Sequence, residues 1–363
     1  MFKQEGFCYA QVNSVMTEFR AISVTNHRAW FLPFRVLQVP ASGRKAKPPE
    51  RGKKKKSHGK YSDKSCSTCF SMGFDDNLSE MKIPNLISLH GGHSGQYCNH
   101  ADDLLEDIIQ HYIKLGFTTV GITEHIPPIN DQFLYPDEIE SRLTALDINQ
   151  KFENYFVTLN GLKKKYASSI TIFTGMETEA YTGYVDHIKN LILKFQPDYI
   201  VGSVHHIDDT CFDYSRDEYE KIVLICGSHE AMYEKYFDLQ YEMLKALKPF
   251  VVGHLDLIRI YDHDYKHRLV LPKIREKIKR NMKLIKSLDL VMDFNLRPLA
   301  RGEEEPYITE SILKTAKSMK IRVVPGDDSH NVEQAGLNVD KALKMLADYG
   351  FNTRILPVPE LLT

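Results

Sequence analysis

Long apolar runs are missing from this 363-residue chain. None reaches the roughly 18 uninterrupted residues that a membrane helix needs. The most apolar early run, Ala29 to Val39, is broken by Pro33 and Arg35, and Glu5 and Glu18 sit where a secretory leader carries positive charge or none. Cysteine is scarce. Six residues (Cys8, Cys66, Cys69, Cys98, Cys211 and Cys226) are too few and too scattered for a disulfide scaffold, so reduced thiols are expected. Tryptophan occurs once, at Trp30. No glycine-rich phosphate loop or dinucleotide fingerprint follows the first strand-like run, which counts against nucleotide-binding folds. Net charge is also nearly absent, at −1. Together these absences predict a soluble, intracellular protein of cytoplasmic location that carries no membrane span.

The small net charge hides an asymmetry. Residues 41–60 hold nine Lys and Arg against one Glu, so the rest of the chain carries −9. An acidic body is a poor non-specific nucleic-acid binder and a good host for cations. Residues 40–80, with Pro40, Pro48, Pro49, Gly43, Gly52 and the lysine run, cannot bury a core and are expected to be disordered. Lys53–Lys56 reads either as a solvated charge run or as a nuclear or polyanion address. Cys66-Ser-Thr-Cys69, with His58 upstream, has the spacing of half a zinc knuckle but no second pair. The expected organisation is a basic, mostly disordered extension over 1–84 and a folded body over 85–363. Met81 offers a second start just before the body.

From residue 85 short β-rich runs alternate with longer helical stretches. The runs are 86–90, 118–123, 170–176, 199–204, 250–253, 290–294, 321–324 and 352–357. Between them lie periodic segments at 101–115, 137–167, 185–195, 217–247, 272–287, 306–319 and 332–349. Pro272 and Pro306 suit the first turn of a helix, and Gly116 and Gly350 fall just past helix ends. Repeated β–α units predict a parallel α/β sheet closed into a barrel.

Of the fifteen histidines, eight lie at or just after the carboxyl end of a predicted strand: His90, His93, His100, His125, His205, His206, His254 and His330. Glu124, Glu177, Asp256, Asp327 and Asp328 stand at equivalent places. In a β/α barrel these ends open on one face, which carries the active site. A lone histidine there is ordinarily a loop residue. Histidine at the ends of five separate strands predicts a metal cluster instead. Imidazole and carboxylate without thiolate suit Zn, Mn or Fe, and so many ligands predict two or three divalent ions, with Glu177 as a bridge. Such a cluster would activate a bound water toward a phosphate ester and neutralise the phosphate oxygens and the leaving alkoxide. The expected substrate is a small phosphate ester.

The motifs resemble the polymerase-and-histidinol-phosphatase (PHP) superfamily, and more narrowly its histidinol-phosphatase branch of fungal type. The matching stretches are His93-Ser-Gly-Gln-Tyr-Cys-Asn-His100, Thr123-Glu-His-Ile-Pro127, Gly175-Met-Glu177, Gly202-Ser-Val-His-His206, Gly253-His-Leu-Asp-Leu-Ile-Arg259, Glu305-Pro-Tyr307 and Asp328-Ser-His330. The resemblance implies a distorted (β/α)7 barrel, so that one of the eight expected strands is not a stave. It implies three metals, most often Zn: one on His100, His125 and His330, one on Glu177, His205 and His254, and one on the first-motif histidines with Glu177 and Asp328. It further implies hydrolysis of L-histidinol phosphate in histidine biosynthesis, with Asp328 and His330 at the catalytic centre and Arg259 on the phosphate. Two departures stand out. The family's first motif is His-x-His, but Gly91 stands two before His93, and His90 is three before it. On a regular strand an i, i+3 pair points to opposite faces. A bulge at Gly91-Gly92 would bring His90 round; without one the third site lacks a ligand. Near 295–302, Ala300 replaces an arginine of the family pattern, leaving Arg297 or Arg301 to compensate. The competing readings are another phosphoesterase or a nuclease on the same barrel, and a degenerate barrel kept as a scaffold.

Overall fold

The computed structural model describes residues 85–353. The expected extension over 1–84, its lysine run and its Cys-x-x-Cys pair lie outside the described residues. Seven parallel strands follow one another around a nearly closed barrel in chain order: β1 (Leu86–Ser88), β2 (Phe117–Ile122), β3 (Thr171–Glu177), β4 (Tyr199–Gly202), β7 (Val251–Val252), β8 (Val291–Asn295) and β9 (Arg322–Gly326). The intervening β5 (His206–Ile207) and β6 (Thr210–Cys211) form a small antiparallel hairpin after β4. Beyond the named strands, the Leu89 N–H donates to the Pro325 carbonyl at 3.2 Å, drawing the two ends of the sheet together.

Strand alternation divides the apolar residues into two layers. Ile87, Leu89, Phe173, Tyr199, Val201, Val251, Val291 and Val324 fill the barrel interior. A larger cluster packs the outer faces of the strands against the helices. Tyr199 crosses the interior and donates from its hydroxyl to the Leu89 carbonyl at 2.6 Å. Room for that ring comes from Gly121, where any side-chain carbon would lie 1.8 Å from the Tyr199 oxygen. The interior is therefore a packed floor, and the functional side chains sit above it at the carboxyl ends of the strands.

Several expectations change. Of the expected run at 352–357, residues 352 and 353 are irregular and the rest falls outside the described residues. The periodic segment 217–247 is two helices, Arg216–Cys226 and His229–Leu247. Gly227 adopts φ 87° between them, and the Ser228 side chain caps the second. The segment 137–167 likewise splits into Pro136–Glu140 and Ala145–Lys165. Pro272 does open a helix, but Pro306 does not. The helix there begins only at Glu310, because Tyr307 first bridges back to Asn295. Gly116 and Gly350 both end helices with positive φ, as expected.

Candidate metal centre

Each stave lifts its inward-facing register above the floor. On β8 the inward series runs Val291, Asp293, Asn295; on β3 it runs from Phe173 to Glu177. β1 is different. Ile87 and Leu89 face the interior, so continued alternation would turn His90 away. Regular strand geometry instead ends at Ser88, and the backbone bends at Leu89 and His90. His90 therefore swings over the floor, and its Nδ1 lies 2.7 Å from Asp293 Oδ2. Gly91 is held by its N–H donating to the Gly121 carbonyl at 2.9 Å. A side-chain carbon at 91 would lie 2.2 Å from that same oxygen. The kink that admits His90 thus leaves no space for the histidine of the family pattern at 91.

Glu177 is at the centre of the cluster, and its two oxygens face different imidazoles. Oε2 lies 3.2 Å from His90 Nε2, 3.4 Å from His125 Nδ1 and 3.6 Å from His93 Nε2. Oε1 lies 2.9 Å from His254 Nε2 and 3.3 Å from His205 Nε2. Asp328 Oδ1 completes the first side, 3.4 Å from His93 Nε2 and 3.9 Å from His90 Nε2. Tetrahedral ligands at about 2.0 Å from a zinc ion stand about 3.3 Å apart, which is the spacing found here. His90 Nε2, both His93 nitrogens and His125 Nδ1 are buried without a hydrogen-bond partner. Buried polar atoms left without a partner are costly unless something satisfies them. A divalent cation fits this donor set. His90, His93, Glu177 and Asp328 form one group of potential ligands, and Glu177, His205 and His254 form a second.

The third expected group is assembled differently. His125 and His330 converge with His93 and the buried thiol of Cys98. His100 stands at the rim, its ring centroid 5.4 Å from His125 and 5.2 Å from His330, and its Nδ1 3.9 Å from Asp137.

Several partners were not singled out as site residues in the sequence. Asp293 orients His90. Glu179 receives His205 Nδ1 at 2.9 Å and lies 3.2 Å from His206 Nδ1, while the Tyr135 hydroxyl donates to it at 2.9 Å. Asn295 donates to both Asp293 and Asp328. The two-residue spacing in Asp293-Phe-Asn295 puts that pair on one face of β8, while Glu179 lies two residues past the end of β3. Of the acids noted in the sequence, Glu124 receives the backbone N–H and hydroxyl of Ser94. Asp256 and Asp327 are structural. Asp256 receives the N–H groups of Ile308 and Thr309, and Asp327 receives the hydroxyls of Ser88 and Tyr112.

The charges are tightly coupled. Burial pushes the His90 imidazole down, but Glu177, Asp328 and Asp293 outweigh it and hold the group well above its usual range. His93 is likewise pushed up to about 9: burial opposes protonation, and Asp328 and Glu124 prevail. Glu177 stays well below the usual carboxylate range. Burial resists ionisation there, and the surrounding imidazoles of His90, His125 and His205 overcome it. His330 is held well below its usual value, first by burial and then by the charge of Arg297.

Beside the cluster opens a cavity of about 210 Å³, lined by His100, His254, Arg297, Arg301, Asp328 and His330 together with aromatic residues. Arg297 Nη1 donates to the Asp328 carbonyl at 2.8 Å and contacts His330 Nδ1. Arg259, the residue expected on the phosphate, does not line this cavity directly. It is buried one layer behind the wall, donating to the Glu305 and Pro306 carbonyls and to Glu303. It packs 4.6 Å from the ring centre of Tyr307, which lines the cavity.

Comparison with known proteins agrees with this geometry. Residues 89–296, more than half of the chain, match the PHP domain family. A Schizosaccharomyces pombe protein described as a probable histidinol-phosphatase is 34% identical over 271 residues, spanning 74% of this chain and 88% of the relative. The Saccharomyces cerevisiae histidinol-phosphatase is 29% identical over 302 residues, spanning 71% and 88%. Among solved structures, the Lactococcus lactis histidinol phosphate phosphatase, complexed with Zn, L-histidinol and phosphate, shares the fold with a TM-score of 0.56. It is 18% identical, covering 74% of this chain and 95% of that one. The seven-stave barrel, the strand-end imidazoles and these relatives lead to one assignment: the chain belongs to the PHP-domain family, in its histidinol-phosphatase branch.

Proposed function

We propose that the protein is a metal-dependent phosphomonoesterase that hydrolyses L-histidinol phosphate to L-histidinol and phosphate, a step of histidine biosynthesis. The observation that carries this reading is the position of Glu177, one carboxylate set between two separate groups of imidazoles. Two or three divalent ions, Zn first and Mn or Fe as alternatives, fit the donors. His90, His93, Glu177 and Asp328 would hold one. Glu177, His205 and His254 would hold another. His125 and His330, with His100 or Cys98, are the donors for a third. When bound, such ions supply Lewis acidity and a water of lowered pKa.

The remaining roles belong to the chain itself. Arg297 and Arg301 bring positive charge to the cavity, and the planar fork of a guanidinium suits phosphate oxygens. In the reaction the P–O ester bond breaks, a new P–O bond forms from water, and the proton of that water ends on the leaving alkoxide. Asp328 and His330 stand at the cavity edge, where that proton must pass. Arg259 supports the wall by stacking on Tyr307. The test is phosphate release from L-histidinol phosphate by the purified protein. The expected result is turnover that a chelator abolishes and added Zn or Mn restores; no release under any of these metals would refute the proposal.

A further inference from the structure

The cavity has a second, chemically different wall that the hydrolytic step leaves unused. Opposite in charge to Arg297 and Arg301, the carboxylate of Asp213 lines the same space, flanked by Tyr214 and Tyr261. Asp213 follows the β5–β6 hairpin, and its placement is fixed from both sides. The Tyr261 hydroxyl donates to its backbone carbonyl at 3.1 Å, and the Cys211 thiol donates to its Oδ1 at 3.2 Å. Its second oxygen, Oδ2, has no protein partner, and no cationic side chain pairs with it among the described residues. Asp262, by contrast, is paired with Arg268 at 2.6 Å. Arg301 lines the same cavity, and among the described residues no carboxylate forms an ion pair with its guanidinium, so the space holds a cation and an anion that do not pair directly with each other.

This inference rests on the phosphomonoesterase reading above. The proposed substrate is itself polarised: a phosphate dianion at one end, and an ammonium group and an imidazole at the other. The arginine and imidazole wall suits the first end. We infer that Asp213 receives the ammonium–imidazole end and so selects phosphate esters that carry a cationic nitrogen. Tyr214 and Tyr261 add faces on which a cation or a planar imidazole ring can rest. Asp213 is a specificity residue in this account and takes no part in breaking the P–O bond.

The experiment compares wild type with Asp213→Asn and Asp213→Glu on two substrates, L-histidinol phosphate and phenyl phosphate, which lacks the amine and imidazole. Loss of a charged hydrogen bond costs roughly tenfold or more in binding. The expected result for Asp213→Asn is a KM for L-histidinol phosphate raised about tenfold or more with kcat altered far less. The preference for L-histidinol phosphate over phenyl phosphate should shrink by the same factor. Inhibition by the product L-histidinol should weaken in parallel, and inhibition by inorganic phosphate should not. Asp213→Glu, which keeps the charge, should recover part of the preference. Equal losses on both esters, or a change in phosphate inhibition to match that of L-histidinol, would overturn the inference while leaving the phosphatase reading intact. Wild type that turns over phenyl phosphate but not L-histidinol phosphate would refute both.

Discussion

The kink at the end of β1 predicts opposite fates for two neighbouring substitutions. In Gly91→His the new Cβ meets the Gly121 carbonyl oxygen at 2.2 Å and Val120 Cγ2 at 3.1 Å. Relieving that contact requires β1 and β2 to part by about 1 Å, which breaks the Gly91 N–H to Gly121 hydrogen bond of 2.9 Å. Overpacking costs about 1–3 kcal/mol and the lost bond about 1 kcal/mol. At about 2–4 °C per kcal/mol for a domain of this size, Tm should fall by roughly 5–15 °C. His90→Ala acts on the other side of the kink. It removes the imidazole between Asp293 and Glu177 and leaves both carboxylates buried without it. The expected outcome is loss of an ion and a fall in turnover of at least about a hundredfold, beyond what even outer partners of a metal site cost. Elemental analysis, thermal denaturation and phosphate release read all three quantities. If the family motif acted by residue spacing alone, Gly91→His would raise metal content and His90→Ala would be silent. Either result would refute the kink argument.

Further tests address other parts of the site. Glu177→Gln should deplete ions from both sides of the cluster together, while Asp293→Asn should deplete chiefly the His90 side; metal titration distinguishes them. Because His93 is held up to about 9, its imidazole carries a proton in the metal-free protein below that pH. Ion binding at pH 7 should therefore release protons, and the release should fade as pH rises through about 9. Calorimetry in buffers of different ionisation enthalpy measures it, and a buffer-independent heat at pH 7 would count against the assignment. Tyr199→Phe removes the bond across the barrel floor to Leu89 and should cost about 1 kcal/mol of stability. Metal content should stay unchanged, as judged by denaturant unfolding and elemental analysis.

The order of the staves, the outer helices and most of the strand-end donors were legible along the chain, because each depends on local periodicity. Short β-rich runs between periodic segments marked the strands, and histidine recurring at their ends marked the rim. Where the reading failed, the cause was an interaction between distant segments. Pro306 cannot begin a helix while Tyr307 bridges to Asn295. Gly227-Ser228 did carry the signals of a helix end and a new cap, but the apolar period running through them masked the break.

His90 shows where the two levels of description part. The chain by itself determined that imidazoles and carboxylates would collect at one rim, since a parallel barrel sends every strand end to the same face. It did not determine which way His90 points. That was decided by the fit of Gly91 against the Gly121 carbonyl and of Tyr199 across the floor. Side-chain direction at a strand end depends on the neighbour against which the backbone stops alternating, and only the folded packing supplies that neighbour.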